Sequence, residues 1–557
     1  MARSNTPRRS AARKPIPVAR IRPEGSWWSR LPEAAQHAIC LGTLLTIGLI
    51  FYAPILFSGQ QLIGGDTVKW RMMAASMMDY HDATGEEPLW SPNTFGGMPG
   101  YMVTRFAWVP GIDSVANWLR NGLGLWPISH FAFLLGGAYL LGWWMTREKW
   151  AGVVLAVAFG FTTYIPIFLS AGHNSKYIAL AYTPWLVLAF AHVLRKPKLL
   201  GALLFAVALA VHLRAGHPQI TYYALWTIGI WWVADGVGSW REGLIDRWAR
   251  ATAWLTGGGL IAALMSAYPY LLQRDYKAFT IRGAFTDASG GLDQAYAYAM
   301  NWSHTMGELL TLIVPNAYGG GGQTYWGEKI FTGGPHYLGG VVILLGIVAL
   351  LLSRKRVAVW ALSISAGLMM LFALGSNLNV LNRPLYDFFP LFDAFRVPET
   401  WLVQVAFCMA ALAALGLGAA MPLRRQVLEP RAEADEARRT QIVTIAVAAT
   451  LGFVVVLALA GSSLLSFEKA GEMERAIAQI AQENQVSPTD PRVRQAAEDG
   501  VGQIVGERRD LFSADAWRTV LFVLLAGGLL VLGRRGKIPS WAVQMSLALL
   551  IVVDLAG

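Results

Sequence analysis

An aspartate directly after two glycines, in Gly64-Gly65-Asp66-Thr67, is the first group in this sequence suited to chemistry. A carboxylate in such a turn can take a proton from a hydroxyl and so act as a general base in a transfer reaction. A Gly-Gly-Asp sequence equally makes an ordinary turn with a helix cap. Two short stretches then gather cations. AGHNSKY (171–177) holds His173, Asn174 and Lys176, and HLRAGHPQ (212–219) holds His212, Arg214, His217 and Gln219. Lysine, arginine and histidine packed into tight turns suit an anion, above all a phosphate. Lipid headgroups or helix ends would use the same residues. Further on, PLFDAFRVPETW sets Asp393 and Arg396 just before an apolar run. Asp79, His81 and Asp82 are of metal-binding type and leave a divalent cation open, but their spacing is generic and a solvated helix end explains them as well.

The composition says what must hold these groups. Of 557 residues, 55% are hydrophobic and 15% charged, and the mean hydropathy is +0.41. A soluble domain carries about 25% charged residues. A disordered chain, a coiled coil and an ordinary soluble enzyme are therefore excluded. A helix crossing a bilayer needs about 20 mostly apolar residues. On that criterion the chain is an all-α polytopic membrane protein with about thirteen spans: 37–58, 125–145, 150–170, 177–194, 199–213, 219–235, 251–272, 337–353, 357–375, 400–421, 441–462, 517–533 and 539–556. Cys40 and Cys408 both lie in apolar runs, so neither a disulfide framework nor a zinc pattern is readable.

The net charge of +11 tests orientation. Basic residues fill the segment before the first span (Arg3, Arg8, Arg9, Arg13, Lys14, Arg20, Arg22 and Arg30) and every second connection: TREK (146–149), RKPK (195–198), 239–250, SRKR (353–356), LRRQ (423–426) and GRRGK (533–537). By the positive-inside rule these face the cytoplasm, with the N-terminus inside and the first span a signal anchor. The excess charge is thus a topology signal and gives no support to nucleic-acid binding. Residues 1–36 form a basic cytoplasmic segment, 37–421 the transmembrane core, and 422–557 a C-terminal set of helices.

The other side receives the loops 59–124 and 273–336 and the stretch 463–516, which reads as an outer helical hairpin broken at Ser487-Pro488 and Asp490-Pro491 and peripheral to chemistry. Residues 67–80 read as a helix that lies among headgroups or packs on the protein's own surface, with Val68, Met72, Met73 and Met77 on or near one face. The glycine run Gly319 to Gly322 lacks the strand–loop–helix setting of a phosphate loop and reads as a flexible loop or a substrate lid. The span centres contain almost no Asp, Glu, Lys or Arg, which counts against an ion-coupled transporter. Polar chemistry concentrated on the translocated side suits an enzyme whose lipid-borne substrate arrives within the bilayer.

GGDT (64–67), PLWSPNTFGGMPGY (88–101), GHNSKY (172–177), GHPQ (216–219) and FRVPETW (395–401) together resemble the YfhO family of bacterial membrane proteins over roughly residues 45 to 420. The early acid, the helix after it and the number of spans resemble the wider GT-C superfamily of polyprenyl-phosphate-dependent glycosyltransferases. The resemblance implies a GT-C-like bundle in the bacterial cytoplasmic membrane. It also implies transfer of a sugar from a polyprenyl-phosphate carrier to a cell-envelope acceptor, with Asp66 matching the superfamily's first-loop acid. His173, Lys176, Arg214, His217 and Arg396 become the expected donor-phosphate contacts. Family members continue beyond a final Val-Asp-Leu like Val553-Asp554-Leu555, so the chain is expected to be a piece of a longer protein or a short member. A flippase or transporter of a lipid-linked glycan is the alternative, as is a non-catalytic scaffold for envelope assembly.

Overall fold

The computed structural model describes residues 27–104, 111–119, 124–280, 291–421 and 430–556. The basic residues up to Arg22 and the LRRQ turn lie outside the described residues. Among those described, the protein is all-α. Its one sheet is a two-residue antiparallel pairing of Trp90–Ser91 with Met98–Pro99.

The principal helices, in chain order, begin with α1 (Glu33–Phe51), α2 (Gly65–Thr84), α3 (Ile112–Asn117), α4 (Ile128–Thr146), α5 (Lys149–Gly160) and α6 (Tyr164–Ala171). Next come α7 (Asn174–Arg195), α8 (Leu199–Arg214), α9 (Pro218–Arg241) and α10 (Ile245–Tyr276). Then follow α11 (Gly340–Leu352), α12 (Val357–Ala373), α13 (Asn379–Phe388) and α14 (Leu402–Ala420). The last are α15 (Pro430–Leu464), α16 (Glu472–Asn484), α17 (Pro491–Arg534) and α18 (Ser540–Ala556).

All thirteen expected stretches carry helix, but fewer of them are built to cross a bilayer unaided. Among the described residues, seven helices are long and apolar enough, or nine when the bent pairs α5–α6 (40°) and α12–α13 (109°) each count as one span. α8, α11 and α18 are apolar but have only 16, 13 and 17 residues. At 1.5 Å per residue, 13 residues cover about 20 Å of a hydrocarbon core of about 30 Å. α9 has the length, at 24 residues, without the same apolar density. Hydropathy reads apolar stretches; it does not show where a cap or a bend will cut them.

α5 is buried along its whole length, and α7 and the span containing α14 have 78% and 83% of their apolar windows buried, so these three form the centre of the bundle. α1 and α10 bury only 22% of theirs and present apolar side chains outward, as helices facing lipid must.

Polar contacts sort the connections into two ends. At one end Lys149 meets Glu33 (3.2 Å), Arg356 donates to the Met145 carbonyl (3.3 Å), and Arg195 lies over Trp144 (4.6 Å). Arg247 donates there to the Leu194 carbonyl (3.0 Å), and Arg534 to the Ala420 carbonyl (2.6 Å) and to Glu436 (2.6 Å). The basic turns are therefore stitched to one another. The opposite end is stitched as well: Asp66 to His173, Gln219 to the Arg396 carbonyl, and the Tyr337 amide to Thr163. The expected hairpin is present as α16 and the start of α17, and Asp490 caps α17 by accepting from the Arg492 amide.

Candidate functional site

Asp66 stands in the first turn of α2, and glycine sets its position. The backbones of Gly64 and Gly172 approach so closely that a β-carbon on Gly64 would collide with the Gly172 amide. Gly172 itself has a φ of 89°, a left-handed conformation that favours glycine, and it ends α6 so that α7 can start at Asn174. The GGDT turn and the GHNS turn are thus locked face to face. Asn174 Nδ2 donates to Thr67 Oγ1 (3.1 Å), and His173 Nε2 meets Asp66 Oδ2 at 3.1 Å. Lys69, one turn on, lies 3.6 Å from the same carboxylate. Asp66 itself remains half exposed, as a group that meets a substrate must be.

His173 is uncharged in this setting. Burial pushes its pKa down and the Lys176 ammonium adds to this, against the opposing pull of Asp66. Its Nδ1 is buried without a partner, which fits a neutral ring donating from Nε2 to the carboxylate. His217 is held down to about 3 by burial and then by Lys176 and His173. Ser175 Oγ lies 3.5 Å from its Nδ1, while its Nε2 is buried and unpartnered.

The fixed cations are Lys176 and Arg396. Lys176 lies over the Phe168 ring at 5.0 Å, and among the described residues its ammonium makes no ion pair and no hydrogen bond. Arg396 donates to the Tyr298 hydroxyl, lies over that ring at 5.0 Å, and has no carboxylate partner among the described residues. Gln219 fixes the Arg396 backbone by donating to its carbonyl (2.6 Å). Lys176 feels the charges of Glu399, Arg396 and Asp66, in that order. Two cations with no carboxylate in contact among the described residues, one of them acted on by a half-exposed carboxylate, can bind an anion and move a proton next to it.

Arg214 does not join them. Its guanidinium is buried and paired through one nitrogen with Asp113 on α3, an ion pair that ties α3 to the end of α8. A buried guanidinium needs a carboxylate, and the nearest one claims it. His212 is likewise structural, bonded by Thr183 (3.1 Å) and Thr221 (2.8 Å). Among the described residues no three His, Cys, Asp or Glu side chains gather to hold a metal ion. His81 turns to the Glu86 carbonyl (2.9 Å).

Behind Arg396 lies a polar cluster that residue spacing does not reveal. Glu399 Oε2 accepts from Lys329 Nζ (2.9 Å), contacts His336 Nε2 (3.4 Å) and lies 3.9 Å from His304 Nδ1. Lys329 also faces Glu308 (3.7 Å), whose other contacts are the Tyr325 hydroxyl (2.5 Å) and the Thr305 amide (2.8 Å). His336 stacks on Tyr164 at 4.2 Å. Both histidines are pushed below the ordinary range, by burial first and by Lys329, with Glu399 opposing.

The backbone around Glu399 is pinned at three points. Tyr164 donates to its carbonyl (2.5 Å), its amide donates to the Trp302 carbonyl (3.3 Å), and the Val397 amide donates to the Ala299 carbonyl (3.0 Å). Val397 has a φ of 64°, a left-handed conformation that costs a branched residue about 1–3 kcal/mol and persists only where the surroundings enforce it.

The glycine run lies against the hairpin helix. Gly319 and Gly321 have φ values of 79° and 130°, and Arg508 of the hairpin helix donates to the carbonyls of Gln323 (3.1 Å) and Thr324 (3.0 Å). Comparison of the chain with protein-family models, with curated proteins and with solved structures finds no match to any.

Proposed function

We propose that this protein is a membrane glycosyltransferase that moves a sugar from a polyprenyl-phosphate carrier to a cell-envelope acceptor. The observation that carries the reading is a half-exposed carboxylate, Asp66, that acts on Lys176, which in turn neighbours Arg396, neither cation touching a carboxylate among the described residues. The resemblance of the surrounding motifs to the YfhO family and the GT-C superfamily supports the same reading. Under it, this end of the bundle faces the extracytoplasmic side of a bacterial cytoplasmic membrane, and the stitched basic turns face the cytoplasm.

The reaction breaks the bond between the sugar's anomeric carbon and the carrier phosphate oxygen and forms a bond to the acceptor oxygen. Asp66 Oδ2 accepts the acceptor hydroxyl's proton, and His173 holds the carboxylate in place through Nε2. Lys176 and Arg396 balance the charge that stays with the departing lipid phosphate. His173 and His217, being neutral, contribute hydrogen bonds to the site and no positive charge.

Purified protein in vesicles supplied with a polyprenyl-phosphate-linked sugar and an envelope acceptor tests this. The expected result is a new glycosidic product formed in step with free polyprenyl phosphate. Movement of the carrier between leaflets with no product would favour a flippase instead.

A further inference from the structure

α12 is apolar along its 17 residues, yet the chain does not continue straight at its end. It turns through 109°, just past a right angle, into α13. A helix set so against the end of a membrane-crossing helix runs along the bilayer surface. α12 starts beside the basic turns, where Arg356 donates to the Met145 carbonyl, so α13 lies at the other end, with Arg396.

At 3.6 residues per turn, side chains four apart share a face, and α13 sorts into distinct rows. One row is polar: Asn379 accepts from the Tyr296 hydroxyl (2.6 Å), and Arg383 donates to Asp387 (2.8 Å) and to Asp293 (2.6 Å). Another side is covered by protein. Leu381 and Leu385 pack on the core, buried Asn382 donates to the Leu371 carbonyl (3.2 Å), and Tyr386 meets the Tyr296 ring at 5.1 Å. Between these two runs a third row, Val380, Pro384 and Phe388, which is apolar and exposed; Val380 and Phe388 are each 84% exposed. A polar row, a protein-covered side and a bare apolar row suit a helix placed where water, protein and lipid meet.

Pro384 sets the depth. It cannot donate to the Val380 carbonyl, so that oxygen loses its helical partner. The headgroup level supplies water to such a group, and the hydrocarbon core does not. The bare row is also too small for a stable protein partner. The 10 residues of α13 span about 15 Å, whereas a stable interface takes about 800 Å² from each side.

We infer that α13 is a membrane-surface helix whose partner is the phospholipid leaflet at this end: Val380, Pro384 and Phe388 enter the boundary between headgroups and acyl chains, and the Asn379–Arg383–Asp387 row stays on the watery side. The helix continues into the loop that carries Arg396. Phe389 packs on Trp226 (4.6 Å) and Tyr222 donates to the Pro390 carbonyl (3.0 Å), so the start of that loop is held to α9 as well. The anchored helix thereby sets the level at which Arg396 meets the bilayer. Only a membrane-crossing α12 is needed for this, and no sugar transfer.

The test is a depth measurement by electron paramagnetic resonance on the full chain in vesicles of phosphatidylethanolamine and phosphatidylglycerol, with a spin label at one introduced cysteine. Cys40 and Cys408 are buried, and the unsubstituted protein treated with the same label gives the background. Labels at Val380→Cys and Phe388→Cys are expected about 5–10 Å below the phosphates, open to dissolved oxygen and shielded from a water-soluble nickel chelate. The label at Asp387→Cys is expected to show the reverse. Pro384→Cys and Asn379→Cys read the same two rows should another variant fail to accumulate. A label on the apolar row as accessible to the chelate as one on the polar row puts the stripe in water and overturns the inference. Shielding from both oxygen and chelate means that protein covers the stripe, which overturns it too. Depth is read without carrier or acceptor, so a protein whose stripe is immersed but which transfers no sugar refutes the proposed reaction and leaves this assignment standing.

Discussion

Asp66→Asn is expected to abolish glycosylation of the envelope acceptor while the protein still accumulates in the membrane. Asparagine keeps the shape and can still meet His173, so the locked pair of turns at Gly64 and Gly172 is untouched. The lost contacts are a surface pair with Lys69 and one histidine bond on a half-exposed side chain, interactions that contribute little to stability. What disappears is the proton acceptor. A positioned general base contributes about 10²–10⁴-fold to a rate, so the variant should keep at most about one-hundredth of the activity. Membrane level is read by immunoblot, and acceptor glycosylation by mass shift or lectin binding. Full activity in the variant removes Asp66 from the mechanism.

The second large effect lies far from that carboxylate. Arg508 is completely buried, and its guanidinium makes five hydrogen bonds: two to Glu472 (2.7 Å each) and one each to the carbonyls of Phe467, Gln323 and Thr324. Arg508→Met leaves a carboxylate and three carbonyls without this donor. Breaking a buried pair from one side costs about 3–5 kcal/mol, so the hairpin should come off the loop at 319–337. Faster proteolysis at 485–490 and a lowered thermal midpoint measure it.

Glu472→Met added to Arg508→Met should recover part of the loss, because the uncompensated charge goes with it. The pH dependence follows from Glu472. Burial works against its charge, but the Arg508 hydrogen bonds prevail and hold the carboxyl below its usual range. The pair's contribution is therefore present in full above the ordinary glutamate pKa of about 4.3. It fades as the pH falls through the lower value of the folded protein.

Much of the site was legible in the sequence because its residues stand in short polar islands between apolar runs. Asp66, His173, Lys176 and His217 come together as those islands implied, since alternate connections of a helical bundle meet at one end. Arg214 looked equivalent to Lys176. What separates them is Asp113, distant in sequence and adjacent in space, and no local pattern encodes that partner. The Glu308–Lys329–Glu399 cluster was missed for the related reason that its members are far apart in sequence, two in the loop 273–336 and one just before α14. The one available signal was an acid, Glu399, at the very start of an apolar run, where a charge needs a partner.

The glycine run suggested mobility because backbone freedom is visible in a sequence, whereas the arginine that binds the neighbouring carbonyls lies on a different helix. Of the thirteen expected spans, seven to nine have the length and apolar content to cross a bilayer among the described residues, because apolar content does not reveal that α8, α11 and α18 are short or that α12 turns through 109° into α13.

The central claim is that the end of the bundle carrying Lys176 and Arg396 binds a lipid phosphate. Its most direct test is native mass spectrometry of the purified protein with polyprenyl phosphate and, in parallel, with the uncharged polyprenol. Each hydrogen bond to a charged group contributes about 1.5–3 kcal/mol. Lys176→Met together with Arg396→Met should therefore weaken the phosphate-bearing lipid at least about tenfold and leave polyprenol unchanged. Equal binding of both lipids by the wild type, or undiminished phosphate-lipid binding by the double variant, would contradict the account.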